Sequence, residues 1–106
     1  MKNIFTILAL TIGFSMNAQM VDNSIGCSAT TLSVAMGYYT QANGSISTAM
    51  GYNTDAIGGA STAMGDNTQA FGGASTAMGR YTEASGNYST AMGYNTDAIG
   101  GASTAM

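Results

Sequence analysis

From Ser33 onward, fixed and variable positions recur every 14 residues without an insertion. The frame Ser33, Ala35, Met36, Gly37 returns from Ser47, Ser61, Ser75, Ser89 and Ser103, and residues 47–60 and 89–102 are identical. The first half of each unit, Ser-Thr-Ala-Met-Gly, is nearly invariant at every position. In the second half only alternate positions hold, from Thr54-x-Ala56-x-Gly58 to Thr96-x-Ala98-x-Gly100. Period-two fixation predicts a strand with one buried and one solvated face. Fixation at every position predicts a strand buried on both faces. Each unit therefore reads as two short strands, joined by turns around Gly51-Tyr52-Asn53 and Gly58-Gly59-Ala60, with glycines supplying positive φ at the corners.

Stacked in register, such units make an all-β parallel solenoid with about 4.8 Å between coils. Residues 33–106 hold five full coils and a partial sixth, and residues 19–32 form an N-terminal cap or linker. Met36, Met50, Met64, Met78, Met92 and Met106 occupy one phase and are expected to form the internal ladder of the repeat core. A helix is excluded, because Ser, Thr, Gly and Asn are dense and no apolar i, i+3, i+4 stripe exists. Unbroken Met and Ala ladders argue against a disordered low-complexity chain. Coils this rich in small residues bury little area for the backbone entropy they cost. A strand needing a second apolar surface adds to that, and both observations point to self-association around an axis along the stack.

The N-terminus changes the picture of the whole. Lys2 and the apolar run Ile4 to Phe14, followed by small and polar residues, read as a secretory signal peptide over residues 1–18. The apolar run is too short to span a bilayer. Removing it leaves one cation, Arg80, against five carboxylates, Asp22, Asp55, Asp66, Glu83 and Asp97. That balance excludes nucleic acid as a partner and argues against adsorption to anionic lipid.

Catalytic chemistry is excluded on the same residue inventory. The chain has no His and a single Cys, so Ser-His-Asp and Cys-His arrangements and an intrachain disulfide are impossible. Cys27 ends a lipobox-like Ser24-Ile25-Gly26-Cys27, yet Ser24 stands where an aliphatic residue is required. An ordinary small residue or an interchain thiol is the preferred reading. No cofactor or metal is expected. Asp55, Glu83 and Asp97 share one phase as a solvated acidic edge, lacking the glycine-bent, oxygen-rich loop of calcium sites.

Asp66 and Arg80 share a phase on neighbouring coils and should pair in register. Tyr38, Tyr52 and Tyr94 occupy that same phase, with Tyr39 and Tyr81 beside it. These tyrosines and Arg80 are the candidate surface contacts, and packing over the corner turns explains their placement equally well.

Ser33-Val34-Ala35-Met36-Gly37 and the Ser-Thr-Ala-Met-Gly copies, with Ala42, Gly44 and Ala56, Gly58 in the second half, resemble the head repeats of YadA-like trimeric autotransporter adhesins. The resemblance covers residues 33–106. It implies a left-handed β-roll, three chains about one axis, and display at the outer surface of a Gram-negative cell. The implied role is attachment to host matrix, other cells or abiotic surfaces. Two departures stand out. Thr replaces the commoner aliphatic residue in all copies but the one with Val34, and the chain stops at Met106 inside a repeat. The second departure leads to the expectation of a fragment of a longer protein or a truncated gene. The Thr ladders, Thr48 to Thr104 and Thr54 to Thr96, raise ice binding as an alternative, and stacking with open ends raises a matrix-fibre subunit.

Overall fold

The computed structural model describes residues 20–21, 28–30 and 32–106. The expected signal peptide and Cys27 lie outside the described residues. The strands are β1 (Met20–Val21), β2 (Ser28–Ala29), β3 (Val34–Tyr38), β4 (Gln41–Ala42), β5 (Thr48–Tyr52), β6 (Asp55–Ala56) and β7 (Thr62–Asp66). They continue as β8 (Gln69–Ala70), β9 (Thr76–Arg80), β10 (Glu83–Ala84), β11 (Thr90–Tyr94), β12 (Asp97–Ala98) and β13 (Thr104–Ala105). Odd-numbered strands form one sheet and even-numbered strands the other, each in the order of the chain. All pairings are parallel, and in the repeat region every residue faces its equivalent 14 positions away, as Thr48↔Thr62 and Ala56↔Ala70 do. The chain is a parallel β-solenoid, as the repeat predicts. Its ladder also reaches back into the expected cap, where Met20 pairs with Val34 and Ser28 with Gln41.

Alternation along the strands decides what lies inside. Ser47, Ala49, Thr54 and Ala56 are fully buried, and so are their equivalents in the neighbouring coils. The hydrophobic core consists of two alanine columns, Ala35 to Ala91 from the long strands and Ala42 to Ala98 from the short ones. Side chains no larger than threonine fill the space between the sheets, which leaves no room for a methionine. Met36, Met50, Met64, Met78 and Met92 are half-buried on the outward face of the long sheet, and Met106 is exposed. The expected internal methionine ladder is thus corrected. In a single chain the long strand is packed on its Ser-Ala face, while its Thr-Met face stands open to one side.

The corners differ from expectation in part. The left-handed residues are Asn53 (φ 51°) and Ala60 (φ 56°) and their equivalents, among them Tyr39, Tyr81, Ile46 and Tyr88. None of these is a glycine. From Asn53 onward each corner amide bonds to the preceding coil, as from Asn67 N to the Tyr52 carbonyl (2.9 Å) and from Ala74 N to the Gly59 carbonyl (2.7 Å). The repeated bond over-determines a conformation that L-residues otherwise avoid. Glycine supplies positive φ where the first corner opens, at Gly51 (φ 129°) and its equivalents. At Gly65 (φ 133°), on the long strand, a Cβ would strike the Gly79 carbonyl of the next coil.

Candidate functional site

The end of the long strands carries the variable phase, and the parallel register turns that phase into a column. Tyr38 faces Tyr52, Tyr52 faces Asp66, Asp66 faces Arg80 and Arg80 faces Tyr94. Next to it runs the corner column of Tyr39, Asn53, Asn67, Tyr81 and Asn95, held in the left-handed conformation. The structure brings all the candidate contacts, Tyr38, Tyr39, Tyr52, Arg80, Tyr81 and Tyr94, to this one edge, where each aromatic is exposed.

The edge divides into two aromatic groups. Tyr38 stacks on Tyr52 with ring centroids 5.5 Å apart and planes 4° from parallel, while Tyr39 meets Tyr38 edge-on at 4.4 Å. The neighbouring Tyr39 hydroxyl holds the Tyr38 phenol above its ordinary pKa. On the far side, Tyr81 meets Tyr94 edge-on at 6.1 Å and the Arg80 guanidinium lies 4.9 Å from the Tyr81 ring centroid. The Nε of Arg80 sits 3.0 Å from Oδ2 of Asp66. Tyr81, ahead of Asp66, reinforces the charged state of Arg80. Between the groups, Asn53 Nδ2 donates to Asn67 Oδ1 (2.6 Å) and Asn67 Nδ2 donates to Asp66 Oδ1 (2.7 Å). This amide bridge escaped the sequence reading. Asparagine's tolerance of the left-handed conformation was the available signal. Tyr88 is also exposed, but on the opposite corner.

The outward face of the short sheet carries the column Gln41, Asp55, Gln69, Glu83, Asp97. Burial pushes the Asp55 carboxyl above its ordinary pKa, and Ser85 Oγ donates to Glu83 Oε1. Glu83 and Asp97 border an open depression of about 250 Å³ with Asn67, Gln69, Tyr81 and Thr82. Among the described residues, no three His, Cys, Asp or Glu side chains converge as a metal site would require.

The third surface is the open face of the long sheet. There Val34, Thr48, Thr62, Thr76 and Thr90 alternate with Met36, Met50, Met64, Met78 and Met92, all half-buried. Its side chains vary far less from coil to coil than those of the tyrosine edge. A surface constrained in every coil is what a repeated contact needs.

No curated protein matches the chain. The family model for two copies of the YadA head domain repeat matches residues 31–54, 56–82 and 72–96, where the coils are regular. With the repeat, the two parallel sheets and this match in agreement, the chain belongs to the YadA head domain repeat family.

Proposed function

We propose that this chain is the head module of a trimeric, surface-displayed adhesin, exported by residues 1–18 and attaching through passive multivalent contact. YadA heads belong to an adhesin family, not an enzyme family, of surface-exposed autotransporters that form trimers in general. The observation that carries the reading here is the Thr-Met face of the long sheet. It alternates threonine with methionine, is nearly identical in each coil and is only half-covered by its own chain. Three copies packed through this face about the solenoid axis bury it and leave the tyrosine edge and the acidic column outside. Identical copies of the edge then give avidity to weak individual contacts, with the aromatic rings as anchors. An ice-binding face has less support, since the Thr54, Thr68 and Thr82 column is buried inside the coil and the Thr48 column alternates with methionine.

Sedimentation equilibrium tests the assembly: the chain sediments as a trimer, and Met64→Asp, which places a charge on the open face without entering the core, sediments as a folded monomer. Beads coated with the chain test attachment. Binding to matrix-coated or abiotic surfaces should fall when Tyr38, Tyr52, Tyr81 and Tyr94 are replaced by Ala. A folded wild-type monomer at all concentrations refutes the trimeric reading.

A further inference from the structure

The methionine file has a chemistry that its neighbours on the same face lack. Met36, Met50, Met64, Met78 and Met92 stand directly opposite one another on β3, β5, β7, β9 and β11. Neighbouring strands are about 4.8 Å apart, so the thioethers form one continuous row up the stack. The alanine before each methionine points inward and is fully buried, whereas the methionines point outward and are half-exposed. Threonine and valine beside them do not react with mild two-electron oxidants. Thioethers do.

We propose that this row is a reversible oxidation site that governs whether the long-sheet face associates; the inference rests on the self-association proposed above. The oxidant class is a peroxide. A sulfur lone pair attacks one peroxide oxygen, an S–O bond forms as the O–O bond breaks, and the proton of the transferred oxygen passes to the departing hydroxide, which leaves as water. Sulfur loses two electrons and peroxide gains them. The product, methionine sulfoxide, is a polar acceptor in place of a flexible apolar group. Its formation alters the open face and leaves the Ala-Ser-Thr interior untouched, so the coil persists while its contact surface changes character. In the assembly the same sulfurs are covered, which makes the unassembled chain the vulnerable form. Two unpartnered sulfoxides on a buried face suffice to weaken association about a hundredfold.

The test treats the chain with hydrogen peroxide and follows it by peptide mass spectrometry, circular dichroism and sedimentation equilibrium. The expected result is one added oxygen at each of Met36 to Met92, an unchanged β-sheet signal and association weakened at least about a hundredfold. Methionine sulfoxide reductases A and B with a thiol reductant restore it. A companion variant with Leu at those five positions associates and is indifferent to peroxide. Persistence of the assembly with the row oxidised overturns the oxidation proposal alone. So does loss of the β-sheet signal, or a Leu variant that dissociates equally under peroxide. An untreated wild-type chain that never associates overturns the assembly reading and the proposal with it.

Discussion

Gly58 lies directly against the carbonyl oxygen of Gly72, the equivalent residue of the next coil, so closely that a Cβ on Gly58 would overlap that oxygen. The same holds for Gly44 against Gly58, Gly72 against Gly86 and Gly86 against Gly100. The backbone of this inner position is what touches its neighbour, and no flexible side-chain tip is present to move aside. Gly59, one residue on, has nothing within 4 Å of its would-be Cβ. Adjacent glycines therefore have opposite expectations. Gly58→Ala destabilises by about 3 kcal/mol or more, at the upper end of overpacking costs. Gly59→Ala is neutral or gains up to about 1 kcal/mol by restricting the unfolded chain. Denaturant melts of the two variants check this, and similar midpoints would contradict the close approach.

The interior hydroxyls are not equivalent. Ser47 Oγ is buried and donates to the Gly44 carbonyl at 2.7 Å, whereas Thr68 Oγ1 is buried and makes no hydrogen bond. Ser47→Ala should therefore cost about 1 kcal/mol. Thr68→Val keeps the shape, removes a buried polar group without a partner, and should stabilise by about 1–2 kcal/mol. Chemical denaturation reads both, and a loss at Thr68→Val would show that its hydroxyl is satisfied in solution.

What could be read in the chain, and what could not, follows from what a repeat reports. Shared phase implies shared column, so the pairing of Asp66 with Arg80 and the gathering of Tyr38, Tyr39, Tyr52, Tyr81 and Tyr94 on one edge follow from the 14-residue spacing alone. Invariance reports constraint without its direction. Ala49 is constrained because it fills the interior, and Met50, beside it, lies on the open outer face, yet both repeat equally well. Taking Met50 for the core confused the two. The corners are legible only in part, for a related reason. Glycine is the usual sign of positive φ, and Gly51 holds it as expected, but Asn53 and Ala60 hold it through coil-to-coil bonds and Gly58 is demanded by contact instead.

Ile46 is the corner residue least suited to its place. It is β-branched, its φ is 58°, and its side chain is exposed, so little packing repays the strain. Asparagine occupies the equivalent conformation at Asn53, Asn67 and Asn95. Ile46→Asn should raise stability by about 1 kcal/mol. A thermal melt of the variant decides it, and a lowered midpoint would mean that the exposed isoleucine contributes contacts in the assembly.

Asp55 provides the pH dependence. Its column neighbours Gln41 and Gln69 are uncharged, and burial raises its carboxyl above the ordinary carboxylate value. The folded chain therefore holds this proton more tightly than the unfolded chain does. Stability from protonation is fully present below the unfolded value of about 3.9 and is lost as pH rises through the higher folded value. At neutral pH the wild type carries a carboxylate partly removed from water, which Asp55→Asn does not. The variant should melt higher than wild type near pH 7, by a small margin because the carboxyl is only partly covered. That margin should shrink as the pH falls through the raised folded value and vanish below the unfolded one. Thermal melts of both chains across the acid range test the sign: a margin that grows on acidification would place a stabilising charge at Asp55 and reverse the argument.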